Sequence, residues 1–450
     1  MNQTEAIEIL ELVLKLSEAE GIVARVWGST SSTTRLADNL ITQNIRCARA
    51  TLNVECAYGQ SHGSASTDNL NLEAMRNAVQ RAQSIAKVSP PDPEHMPPVE
   101  AAETRKYSQP KAYFETTAGF SPPAKAQQLA AAAKMVGEFR GQTANFQTAG
   151  NWCQSPKFRL SGAYSNWASF HAVANSAGLR AYHSYTDADL HTTVLGPNGS
   201  GWAELFSNNT ADIQVETVAA KALGVAQQAQ NPQPLEAGKY DVVLSPAAAG
   251  ELLLFTFWCG FDAKATDEER TFLRGRLGKK VFGDAITIRS DPADSRCPGE
   301  PFQNDGMASA TLPWVERGVV KNLCYSRFWA KKQGKEPTGW PVNILMDGGN
   351  ATTEQMVASI ERGLLITRFW YIRHVDPMVP LLTGMTRDGL FLIEKGKVTR
   401  PVQHMRFNEN MVDVLNRVEM LGPVARTGEY PMLIPSLKVK NFNFTSTTKF

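Results

Sequence analysis

One stretch constrains this chain more than any other: SPAAAGELLLFTFWCGF, from Ser245 to Phe261. Ser245 is a good helix cap and Pro246 suits the first helical position, so the order predicts a helix from Pro246 to about Cys259. Past Glu251 the segment is apolar on nearly every face, and such a helix has to be buried between layers. Its apolar run, Leu252 to Phe261, is about ten residues, far short of the ~20 that cross a bilayer. The expectation is a soluble protein with a core thick enough to enclose a helix.

At 450 residues the chain exceeds what one core usually serves. The first segment, residues 1–109, opens with Ile7, Ile9, Leu10, Val13 and Leu14 interrupted by Glu5, Glu8 and Glu11. That is an amphipathic surface helix without the basic start of a signal peptide, which implies a cytoplasmic location. Alternating stretches rich in Val, Ile and Thr predict a short antiparallel sheet, followed by a helix over Leu72–Lys87. SPPDPEHMPPVEAAE, with five prolines, reads as a linker. In the second segment, residues 110–234, Ser121 and Pro122 start a helix, Asn175–Gly178 turns between strands, and Asp212 is expected to cap a helix reaching about Gln230. In the third, residues 235–450, strands and helices alternate. The fold class is α+β: a small N-terminal sheet-and-helix domain, a middle connector, and a larger C-terminal domain with a curved mixed sheet.

Composition excludes several functions. Lys plus Arg number 46 and Asp plus Glu 44, a net charge of +2 that leaves no basic footprint for nucleic acid. Six cysteines are scattered without a C-x-x-C pair, arguing against a disulfide framework or zinc ribbon. There is no G-x-S-x-G, Walker A or G-x-G-x-x-G, and GRLGKK at Gly275–Lys280 reads as a basic surface turn. His183, Asp187, Asp189 and His191 would share one face of a strand, inviting a metal reading. Ligands four residues apart on a strand are ~13 Å apart, however, so a bend with solvent-facing side chains is expected there. His374 and His404 stand alone and read as structural.

The serial order of YDVVLSPAAAGELLLF, FLRGRLGKKVFGDAITIRSDP, NILMDGGNATTEQMVASIERGLLITRFW and GLFLIEKGKVTRPVQHMRFNENMVDVLNRVEMLG resembles the C-terminal region of TldD/PmbA proteins, the modulator of DNA gyrase family. NSAGLRAYH and HGSASTDN extend the resemblance toward the N-terminus. In the zinc-bearing TldD branch, the helix matching Pro246–Gly260 carries H-E-x-x-x-H, and a loop near the C-terminus adds a cysteine. Here those positions are Leu254, Phe255 and Cys259, and GPVARTGEYPML has no cysteine. Zinc catalysis needs about three protein ligands and an open position, so these residues predict no metal, no catalytic residue and an apolar site.

The resemblance thus implies the PmbA (TldE) branch: a non-catalytic subunit that pairs with a zinc-bearing TldD-type chain, walls a chamber and holds unfolded peptide. A homodimeric, self-sufficient metallopeptidase and a DNA- or gyrase-associated protein are the alternatives. Peptide could add to a sheet edge near NILMDGGN or the tail SLKVKNFNF, with Asp347, Gly348, Gly349 and Asn350 as binding candidates. Gly348 and Gly349 are free to take positive φ in that turn. Thr352 or Thr353 should cap a helix through Leu364, and GLFLIEKGKVTRPV should form a hairpin turning at Glu394–Lys397.

Overall fold

A computed structural model describes residues 1–137 and 157–448. Asp38 and Asn39 both take positive φ, 49° and 63°, which is the two-residue turn that matches strand twist. They join β1 (Gly21–Ala37) to β2 (Leu40–Tyr58), and β3 (Ser61–Thr67) follows. β4 (Arg159–Asn175), β5 (Arg180–Leu195) and β6 (Ser200–Ser207) complete a six-stranded antiparallel sheet in the order β3-β2-β1-β4-β5-β6. Its central seam is β1 against β4, running from Val23 opposite Asn175 to Leu36 opposite Gly162. Residues 1–109 and 110–234 therefore share one sheet. The proline-rich stretch between them is a strap across this unit, not a domain break.

Helices cover the sheet. α1 (Gln3–Lys15), whose Asn2 and Glu5 form a capping box, and α2 (Leu72–Val88) bury Leu10, Val13, Met75 and Val79 against Val26, Leu52 and Val54. The one-turn α3 (Glu115–Ala118) precedes α4 (Pro122–Val136), capped by Ser121 as expected. α4 and α5 (Val215–Gln228) enclose Leu129, Leu160, Leu190 and Ala222 in a second core. Asp212 does not cap α5. It ends a separate 3-10 turn and accepts the Ser207 hydroxyl at 2.7 Å, so α5 starts two residues later, after Gln214, without a side-chain cap.

In the C-terminal unit, β7 (Gly238–Leu244) leads into α6 (Pro246–Gly260), capped by Ser245. The remaining strands are β8 (Ile288–Ser290), β9 (Leu312–Glu316), β10 (Val319–Val320), β11 (Ile344–Met346), β12 (Arg362–Asp376), β13 (Leu381–Glu394), β14 (Lys397–Pro401), β15 (Met405–Asn410), β16 (Val418–Thr427) and β17 (Met432–Thr447). The β13–β14 hairpin turns at Lys395–Gly396 as expected. β7, β12, β13, β15 and β17 pair in a closed circuit, because β17 returns to β7. Phe369, Phe407, Phe442 and Phe444 stack through this ring at centroid distances of 4.6 to 5.7 Å.

Three expectations fail here for local reasons. The helix after Thr352 stops at Ala358 and Leu364 lies in β12, since Gly363 must sit against Asp241 of β7, where a Cβ would come 2.2 Å from the carbonyl oxygen. β11 lies between β8 and β17, and β17 pairs with β7, β11, β15 and β16, so neither is a free edge. Gly348 and Gly349 do not take positive φ. They are small because the strand beside them is close: a Cβ on Gly349 would lie 2.4 Å from the Leu421 oxygen.

Candidate functional site

α6 is not buried on every side. Leu252, Leu253, Phe257 and Cys259 face the core, whereas Glu251, Leu254, Phe255 and Trp258 follow one another at helical spacing along a face that fronts a cleft of about 760 Å³. Trp258 is 54% exposed there. The opposite wall comes from the first sheet: His191 of β5, and Trp202, Glu204 and Phe206 of its edge strand β6. Arg368, Phe369 and Trp370 of β12 and the turn Thr427–Met432 close the sides. The cleft thus lies between the two units, on the helix face that sequence singled out.

The site is mostly apolar, as expected, but it also holds a cluster of charged side chains that this expectation missed. Glu204 accepts the Thr427 hydroxyl and, at 3.4 Å, the Gly428 N–H. Burial raises its pKa, against the pull of Thr427 and His191. His191 lies 3.1 Å from Asp189 and 3.7 Å from Glu204. Burial opposes its charge, but these carboxylates outweigh it and its pKa is raised. Arg368 is held by Asp388 at 2.9 Å and lies 4.5 Å over the Trp202 ring. Glu251 has no hydrogen-bond partner among the described residues, and burial pushes its pKa up to about 7, only partly offset by Arg368. A carboxyl in that range can hold or release a proton near neutrality, or receive a cation.

This constellation does not make a zinc site. Leu254 and Phe255 line the cleft and offer no donor, and Cys259 is 8% exposed on the core side with its thiol pushed up to about 12 by burial. His191 turns different ring nitrogens to Asp189 and Glu204, so the three do not converge on one ion. The donor set does not fit the zinc that the family resemblance brings to mind. Among the described residues, no serine or cysteine lines the cleft.

The other candidates are placed as follows. β5 runs unbroken, so the expected bend is absent. His183, Asp187, Asp189 and His191 do share a face, but it looks toward the C-terminal unit, not solvent. His183 is buried and stacks on Tyr185, its pKa lowered to about 4 by burial, and Asp187 receives Arg426 at 2.9 Å. Asp347, Gly348, Gly349 and Asn350 lie outside the cleft lining. Asp347 pairs with Arg289, and the Gly349 N–H donates to Gly422 at 2.8 Å. His374 meets the Phe255 carbonyl at 3.1 Å and His404 the Thr386 hydroxyl at 3.3 Å. Glu204, Arg368 and Thr427 escaped sequence reading. The one signal was a carboxylate between two aromatics on one strand face, Trp202-x-Glu204-x-Phe206.

Residues 237–446 match the family model described as the PmbA/TldA metallopeptidase C-terminal domain. An uncharacterised protein of Methanocaldococcus jannaschii is 30% identical over 186 residues, 40% of this chain and 43% of that one. A metalloprotease of Methanothermobacter thermautotrophicus is 22% identical, covering 59% of this chain and 63% of its own length. These first matches span about two fifths to just over three fifths of the relatives' lengths. The metalloprotease PmbA of Escherichia coli is 24% identical, covering 86% of this chain and 85% of its own. TldE from Thermococcus kodakarensis has the same fold, with a TM-score of 0.84 over 98% of this chain and 100% of that one at 19% identity. The C-terminal unit thus carries the domain of the PmbA/TldD metallopeptidases, and over its wider length the chain is similar to PmbA and TldD relatives and shares the TldE fold.

Proposed function

We propose that this chain is the PmbA-type, non-catalytic subunit of a heterodimeric metalloprotease, acting in the cytoplasm on short unfolded peptides. The observation that carries the reading is the cleft-facing stripe Glu251-Leu254-Phe255-Trp258: apart from the single carboxylate of Glu251, the α6 face that fronts the cleft presents aromatic and aliphatic surface, with no imidazole or thiol donor. Zinc and the hydrolytic step then belong to a TldD-type partner, and this chain supplies a wall that grips peptide. Aromatic side chains on both walls favour extended apolar or aromatic residues of a substrate, and the partnerless Glu251 can receive an ammonium group.

The test is co-purification with a TldD-type chain that bears H-E-x-x-x-H from the same organism. A one-to-one complex that cleaves unfolded peptide and spares folded protein is expected. Within it, Phe255→Ala should raise KM with little change in kcat, the mark of lost binding. Two chains that elute separately overturn the assignment, and so does a Phe255→Ala complex with unchanged KM.

A further inference from the structure

Far from the cleft, the proline-rich strap crosses the β2–β3 hairpin and leaves an unexplained cluster. Glu55 on β2 and His62 on β3 share a sheet face, since His62 pairs with Ala57, two residues from Glu55. His95 comes from the strap and its ring stacks on His62, with centroids 4.9 Å apart and planes 17° from parallel. One ligand atom from each of Glu55, His62 and His95 lies within 4.8 Å of the others, and all three side chains are half-buried.

Ordinary contacts account for only part of this. Asp92 meets the His62 Nε2 at 3.1 Å, and Arg25 takes the Glu55 Oε2 at 3.2 Å. That leaves Glu55 Oε1 facing His62 Nδ1 at 4.0 Å, too far for a hydrogen bond. Two donors on one tetrahedral ion with bonds of ~2.0–2.2 Å lie about 3.4 Å apart, so this pair has to close by only a little over half an ångström to share one. The His95 ring has no hydrogen-bond partner among the described residues, so its ring nitrogens are left to a ligand. A carboxylate on the far nitrogen of a histidine is the usual orienting partner of a metal ligand, and Asp92 stands in that place. The strap is already fixed at that point, because the Asp92 N–H donates to Gln60 at 3.0 Å.

We propose that Glu55 Oε1, His62 Nδ1 and a His95 ring nitrogen bind one divalent transition-metal ion of the zinc class, with Asp92 orienting His62. Two imidazoles and one carboxylate suit such an ion better than calcium or magnesium, which prefer all-oxygen shells. A modest rotation of the half-buried rings brings the three donors into one shell. The ion clamps the strap to the hairpin. Beyond the cluster, Lys264 pairs with Glu94 at 2.5 Å and Arg327 holds the Pro97 carbonyl at 2.7 Å, so the clamp also steadies the strap's hold on the C-terminal unit. The site is structural and independent of the role proposed for the cleft.

The test is titration of tag-free, chelator-treated full-length chain with Co2+ and then Zn2+, read by visible absorption and calorimetry. One saturable site per chain is expected, with the absorption of nitrogen–oxygen coordination and affinity that falls as pH drops and the histidines protonate. His95→Ala and Glu55→Gln should each weaken binding at least tenfold, and Asp92→Asn about 10–100-fold. Their melting temperatures in chelator should match wild type, which separates lost binding from lost fold. Zn2+ should also slow proteolysis within residues 89–99 in wild type and not in His95→Ala. Absence of a saturable site, or equal affinity in His95→Ala and Glu55→Gln, overturns the proposal.

Discussion

Thr427, at the end of β16, donates its hydroxyl to Glu204 on β6, and so ties the C-terminal turn to the edge strand of the other unit across the cleft. In the zinc-bearing branch that C-terminal loop is expected to give a metal ligand. Here it is moored by a hydrogen bond to a buried carboxylate instead. Thr427→Val keeps the shape and removes the donor, leaving Glu204 under-satisfied, which costs about 1–3 kcal/mol. Thr427→Ser should cost much less. Urea unfolding of both variants checks this, and equal losses would show that the methyl group, not the hydroxyl, matters.

Glu251 makes stability depend on pH. A carboxyl whose pKa rises on folding keeps a proton that the unfolded chain has already released. Stability should therefore fall as pH climbs from about 4.5 to about 7, and this contribution should level off above that. The loss is at most about 3 kcal/mol. Glu251→Gln should be close to wild type at pH 5 and more stable at pH 8. Denaturation curves at the two pH values give the answer, and a difference that does not change with pH would place the pKa elsewhere.

Two glycines should respond in opposite directions. Gly349→Ala drives a Cβ to 2.4 Å from the Leu421 carbonyl, where only backbone can yield, so a loss of about 1–3 kcal/mol is expected. Gly224, inside α5, has open space around its missing Cβ, and Gly224→Ala should add up to ~1 kcal/mol. Thermal melts of the two variants are sufficient, and a neutral Gly349→Ala would contradict the close packing of the MDGGN segment on β16.

Cys259 should be inert, because burial holds its thiol at about 12 and the thiolate is the reactive form. Native protein should label at Cys259 far more slowly than denatured protein. Cys259→Ala should cost about 1–2 kcal/mol and leave partner-dependent cleavage intact. Fast native labelling, or lost activity in a folded variant, would give the thiol a role that this account does not allow.

Local chemistry was the legible part of the sequence. Ser245–Pro246 announced α6, Ser121–Pro122 announced α4, and Lys395–Gly396 announced the β13–β14 turn, each through caps or turn residues within a few positions. What depended on distant partners was not legible. The pairing of β1 with β4 joins residues more than a hundred positions apart, so the strap between them passed for a domain boundary. For the same reason the cleft was legible only on its α6 wall. Most of its polar groups arrive from β5, β6, β12 and β16, and no pattern near Leu254 points to Glu204 or His191. The glycines of MDGGN were read as conformational freedom when close approach of Leu421 was the cause.

The most direct test of the central claim is the rate of unfolded-peptide cleavage by a fixed amount of the zinc-bearing TldD-type chain, titrated with this chain. The account predicts a low starting rate that rises linearly and breaks sharply at one equivalent, with no cleavage by this chain alone even when zinc is supplied. A zinc chain fully active before any addition, or chelator-sensitive cleavage by this chain on its own, would contradict it.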